Sequence, residues 1–131
     1  MKSITYSSFT GKVVEGNRIG RKLGFPTANL LSDEPLPPKG VYVAHIEYED
    51  KSFYGLLNIG TRPTLHLKEI SVEVYIFEFF DIIYHQTLCI TPLNFLRDEG
   101  MFNSLQQLQK QLEIDKINAL RWLNENQYTT P

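Results

Sequence analysis

The tetrad Pro26-Thr27-Ala28-Asn29 sets two neutral oxygen-bearing side chains two residues apart. Pro26 fixes its own φ and biases Phe25 toward extended geometry. In an extended segment Thr27 and Asn29 then project to one face, and Ala28 and Leu30 to the other. Paired neutral oxygens suit Mg²⁺, a hard cation that keeps waters or substrate phosphates in its remaining positions. A polar strand edge whose Thr and Asn only satisfy backbone groups would look the same. Just upstream, "GKVVEGNRIGRKLGFPTANL" (11–30) combines Gly11, Gly16, Gly20 and Gly24 with Arg18, Arg21 and Lys22. Glycine-permitted close approach plus positive charge suits a polyphosphate, although a solvated loop has a similar composition. Neither G-x-x-x-x-G-K-[ST] nor G-x-G-x-x-G occurs, so the phosphate device would be of another kind.

Phosphoryl transfer also needs a group that orients and deprotonates the acceptor hydroxyl. In "ISVEVYIFEF" (70–79), Ile70, Val72, Val74 and Ile76 form one apolar face, and Glu73 shares the other with Ser71, Tyr75 and Phe77. If that second face lines a barrel mouth, Glu73 is partly desolvated and can act as a base. If it faces water, Glu73 is an ordinary outward carboxylate.

These residues must be positioned by strands. "FTGKVVEG" (9–16), 26–30, "GVYVAHIEYE" (40–49), "SFYGLLNIG" (52–60), 70–79 and "QTLCITPLNFL" (86–96) are mostly β-branched and aromatic, with short breaks between them. The breaks leave no room for crossover helices, which predicts a mainly antiparallel sheet closed into a barrel. After Phe102 the apolar period changes. Leu105, Leu108 and Leu112, then Leu120 and Leu123, predict a C-terminal helix, broken near Asp115, whose stripe with Trp122 packs on the barrel. Asn103 or Ser104 can cap it, each with a glutamine three residues on.

The chain has 131 residues, 42% of them hydrophobic, and a formal charge of −2. That predicts a single domain over 1–131, with a barrel at about 5–97 and a helical segment at about 103–125. The near-balance of charge argues against nucleic acid as a partner and makes any anion site local. Apolar runs are too short to span a bilayer, and "MKSITYSSFT" lacks a signal core, so the expectation is a soluble, cytoplasmic protein with no membrane partner. The lone Cys89 reads as a buried small hydrophobe on a strand. His45, His66 and His85 lack zinc spacing.

Taken together, "GKVVEGNRIGRKLGFPTANL", "LPPKGVYVA", "NIGTRPT", the glutamate of "VEVYIFEF" and "FLRDEGMFNSLQQLQKQL" resemble the riboflavin kinase family in order and over most of the chain. The resemblance implies a mainly β fold: a six-stranded antiparallel, Greek-key-like barrel with a C-terminal α-helix. It implies transfer of the ATP γ-phosphoryl group to the ribityl 5′-hydroxyl of riboflavin, giving FMN, with Mg²⁺ as cofactor. By carry-over, Thr27 and Asn29 hold the metal and ATP phosphates, Gly16 and Arg21 lie in the phosphate-covering loop, and Glu73 is the base. Ile76 and Tyr84 match the nucleotide pocket, and Arg97 and Phe102 match a loop that closes over the flavin. The chain departs from the family pattern at Tyr75, where histidine is frequent, at His85, where glycine is usual, and at Gly100, where a basic residue is frequent. Family members also occur fused behind an N-terminal FAD synthetase domain in a longer chain. A catalytically silent flavin-binding sensor on the same barrel is the alternative activity.

Overall fold

In the computed structural model, residues 6–14, 27–63, 68–79 and 83–128 are described. Gly16, Arg21 and the rest of the basic glycine loop, together with His66, lie outside them. Six strands form: β1 (Phe9–Val14), β2 (Ala28–Leu31), β3 (Gly40–Tyr48), β4 (Lys51–Pro63), β5 (Lys68–Ile76) and β6 (Thr87–Arg97). They close into a barrel in the order β1-β2-β5-β4-β3-β6, and every pairing is antiparallel. The order follows from chain length between strands. β3, β4 and β5 are joined by short breaks and form a meander, whereas β2 and β6 each reach a partner across the barrel.

Strand alternation sends one set of side chains inward. Tyr42, Ala44, Ile46, Leu57, Ile59, Val72, Val74, Leu88 and Ile90 fill the interior with Phe9, Val13 and Leu30. Fully burying a side chain of this size contributes about 1.5–3 kcal/mol, so this lattice dominates stability. The Tyr42 hydroxyl donates to the Pro38 carbonyl, which satisfies the interior's largest polar group. Ile70 departs from the inward alternation: it lies near the end of β5 and is exposed. Cys89 lies on β6 as read, but half-buried, on the face opposite Leu88 and Ile90. Burial, then Glu47 and Glu34, push its thiol pKa up.

Part of the outward set on β3 and β4 is apolar too, because a helix covers it. Helix α1 (Leu105–Glu125) packs Ala119 and Leu123 on Val41, Val43, Leu56 and Phe77, with Trp122, Tyr54 and Tyr75 at the margin. Ser104 is its N-cap and accepts from Gln107 N–H at 3.1 Å, while Gln107 Oε1 accepts from Asn103 N–H at 3.1 Å. The helix is continuous through Asp115, contrary to the predicted break. Asp115 is 2% exposed and faces the barrel as the partner of Arg97, so its charge is neutralised rather than helix-ending. Leu105 and Leu120 are exposed, leaving a narrower packing stripe than their spacing predicts. No described helix is long and apolar enough to cross a membrane.

Candidate functional site

The cross-strand register decides which outward side chains become neighbours. Asn29 on β2 lies opposite Glu73 on β5, Glu73 opposite Asn58 on β4, Asn58 opposite Val41 on β3, and Val41 opposite Arg97 on β6. One row therefore runs around the outside of the barrel as Asn29, Glu73, Asn58, Val41, Arg97, with adjacent strands about 4.8 Å apart. The next pair along, Leu56 opposite Tyr75, adds apolar and aromatic surface. β4 and β5 approach so closely there that a Cβ on Gly55 would stand 2.1 Å from the Tyr75 carbonyl oxygen, which excludes any larger residue.

Between this row and α1 lies a cleft of about 160 Å³ lined by Glu73, Tyr75, Asn58 and Leu56, by Thr27, Val41 and Arg97, and from the helix by Leu108, Leu112 and Asp115. Glu73 is half-buried at its wall, so the face it shares with Tyr75 is the helix-covered outside of the barrel. The two ends of the cleft differ in polarity. At one end Asn29 is 6% exposed, and its Oδ1 is shielded from solvent without a hydrogen-bond partner among the described residues, as is Asn58 Oδ1. A shielded acceptor without a donor costs about 1–3 kcal/mol, a cost that a cation or ligand donor would remove.

At the other end, polar groups are paired. Arg97 Nε and Nη2 donate to Asp115 Oδ1 and Oδ2 at 2.8 and 2.7 Å, Gln111 Nε2 adds a bond to Oδ1 at 2.9 Å, and Arg97 Nη1 donates to the Asp98 carbonyl at 3.0 Å. The guanidinium also lies 5.9 Å from the Phe102 ring centroid. The loop between β6 and α1 is fixed a second time by Glu99, whose Oε1 accepts from Thr61 N–H at 2.9 Å. Lys116 reaches the cleft margin, with Nζ 3.5 Å from the Tyr75 hydroxyl and 5.8 Å from its ring centroid.

Of the residues singled out from sequence, the fold brings Thr27, Glu73 and Arg97 to the cleft, with Asn29 beside Glu73 and Phe102 against Arg97. Ile76 instead lies in the barrel interior, on the face opposite Glu73, with Tyr84 packed on the same cluster. Asn58, Asp115 and the helix wall of Leu108 and Leu112 were not singled out as site residues. Asn58 belongs to the quoted "NIGTRPT" stretch, which was the one available signal.

The Flavokinase family model, described as riboflavin kinase, matches residues 4–123. The bifunctional riboflavin kinase/FMN adenylyltransferase of Bacillus subtilis is 36% identical over 119 residues, which are 87% of this chain and 38% of that protein. The RNA-binding riboflavin kinase RibR of the same organism is 37% identical over 106 residues, 80% of this chain and 46% of its own. Among solved structures, riboflavin kinase from Trypanosoma brucei matches with a TM-score of 0.64 at 26% identity, covering 92% of this chain and 82% of that one. A Streptococcus pneumoniae crystal structure described as a macrolide-efflux protein matches with a TM-score of 0.82 at 35% identity, covering 88% and 38%. The chain thus spans 36–39% of the length of the bifunctional relatives it matches.

Proposed function

The chain belongs to the riboflavin kinase family, and we propose that it phosphorylates the ribityl 5′-hydroxyl of riboflavin with ATP, giving FMN, in the cytoplasm. The observation that carries this reading is the row Asn29, Glu73, Asn58 along a cleft whose far wall is apolar. A carboxylate stands between shielded oxygen acceptors on one side of a slot that a flat ring could enter.

In this reading Glu73 accepts the proton of the attacking hydroxyl and holds that oxygen in line with the γ-phosphorus. Thr27 and Asn29 take the phosphate side. The unpartnered Asn29 Oδ1 and the neighbouring Thr27 hydroxyl fit Mg²⁺, which prefers hard neutral and anionic oxygens. Bound there with ATP, the cation would offset charge on the phosphates. Gly16 and Arg21 would cover the phosphates, and Ile76 and Tyr84 would support the nucleotide side from the barrel. The flavin ring would lie along Val41, Leu56, Tyr75, Leu108 and Leu112, with Arg97 and Phe102 closing its end. A longer parent chain would join this module to an adenylyltransferase unit of the kind the bifunctional relatives are named for.

The test is turnover. The protein is incubated with riboflavin, ATP and Mg²⁺, and the flavins are separated chromatographically beside a metal-free control. FMN formed only with metal is the expected result. Bound riboflavin without FMN would instead make the chain a flavin-binding module.

A further inference from the structure

We propose that Asn58 is the residue that reads the polyol: its side-chain carbonyl accepts a hydrogen bond from an inner hydroxyl of the substrate's chain, and so selects flavins with a hydroxylated tail. The proposal rests on the flavin kinase reading above and deepens it. Asn58 lies directly across β4–β5 from Glu73, on the opposite side from Asn29. If the phosphate end of the reaction lies toward Thr27 and Asn29, the body of the alcohol must leave Glu73 in the other direction. That direction leads over Asn58 to Val41 and the apolar helix wall. One strand spacing, about 4.8 Å, separates the base from Asn58, which is the reach of hydroxyls next to the reacting one along a polyol.

The chemistry of the side chain fits this place. Asn58 lines the cleft, yet its Oδ1 is shut off from solvent and has no hydrogen-bond donor among the described residues. Rotation about χ2 of an Asn is soft, so turning this oxygen toward a hydroxyl in the cleft costs little. An apolar side chain of the same size would fill the site without the unmet acceptor. A carbonyl acceptor discriminates in one direction only. A ligand with a hydroxyl satisfies it, and a ligand with a methylene at that position leaves it buried and unpaired.

The experiment compares two substrates in wild type and in Asn58→Leu: riboflavin, and a flavin whose N10 chain is 5-hydroxypentyl. The analogue keeps the ring and the terminal hydroxyl and lacks the inner hydroxyls. Wild type should prefer riboflavin in kcat/KM by on the order of 10-fold or more, and Asn58→Leu should lose that factor on riboflavin only, so that the two substrates converge. Equal use of both flavins by wild type overturns the assignment without any variant. An equal loss on both flavins in Asn58→Leu also overturns it, because that is the signature of disturbed placement of Glu73. If Asn58→Leu folds poorly, Asn58→Ala gives the same ratio. A wild type that phosphorylates neither flavin defeats the kinase reading itself, an outcome distinct from a kinase indifferent to the chain hydroxyls.

Discussion

The two ends of the cleft contain similar polar residues in opposite states. At the β2–β5–β4 end, the side-chain oxygens of Asn29 and Asn58 are shielded and unpartnered beside Glu73. At the β6–α1 end, Asp115 accepts from Arg97 twice and from Gln111 once. An unmet acceptor beside a cleft can be completed by a ligand or an ion, whereas a saturated ion pair has little left to offer one. In the proposed reading the first end serves the phosphoryl transfer, while the ion pair at the second holds the helix wall and places Arg97 and Phe102 at the end of the flavin slot. The main effects of substitution should therefore differ. Changes at the first end should alter rates and affinities first, and loss of the ion pair at the second should alter stability first.

The largest effect expected is at Glu73. Glu73→Gln keeps size and polarity but removes the proton acceptor, so kcat should fall on the order of 10²–10⁴-fold. Flavin binding, followed by fluorescence titration, should be largely retained. Unchanged turnover would remove Glu73 from the mechanism and dissolve the distinction between the two ends. Next comes Asp115→Ala, which strands Arg97 opposite an empty site. Because the Arg97 side chain is 24% exposed, water meets part of the loss, and the cost should lie near the lower end for a broken buried pair, about 3 kcal/mol. That corresponds to a fall in Tm of roughly 10 °C by calorimetry. Asn29→Leu should do the reverse. It should raise KM for Mg·ATP by on the order of 10-fold while leaving Tm within a few degrees of wild type, or slightly above it, since an unmet acceptor has been removed. A large loss of stability in Asn29→Leu would mean that the first end, too, is structural.

The sequence made the barrel legible because alternation is a local signal: Val72, Val74 and Ile76 share a face whatever the rest of the chain does. Ser104 was readable as a cap for the same reason, with Gln107 three residues on. In the candidate site, Thr27, Asn29 and Glu73 stand out in the sequence by residue type and alternation, and Arg97 and Phe102 only through motif resemblance. Asp115 looks like an interruption in the sequence because it is an acid inside an apolar period, and its partner Arg97 is 18 positions away on another element. Asn58 is inconspicuous in the sequence for a related reason. Its meaning comes from strand register, which joins it to Glu73 across β4–β5 and cannot be deduced from either segment alone. The face of Glu73 is readable, but what covers that face is not, since the helix that closes the cleft begins only at Leu105, beyond the whole of β6.

The smallest expected effect supplies a control that belongs to neither end. His85 lies in the turn before β6 with φ 71°, its side chain exposed, while its N–H donates to the Val13 carbonyl at 2.8 Å. The backbone bond ties the turn to β1, and a Cβ in this left-handed conformation costs roughly 1–2 kcal/mol. His85→Gly keeps the bond and relieves the strain. Glycine also enlarges the unfolded ensemble, which returns about 0.4–1 kcal/mol of that gain. The net should be a stabilisation of about 0.5–1 kcal/mol, read as a rise in Tm of a few degrees. A fall in Tm would show that the imidazole contributes more than its exposure indicates. A rise would give the stability that backbone geometry alone controls in this barrel, against which the Asp115 and Asn29 effects can be measured.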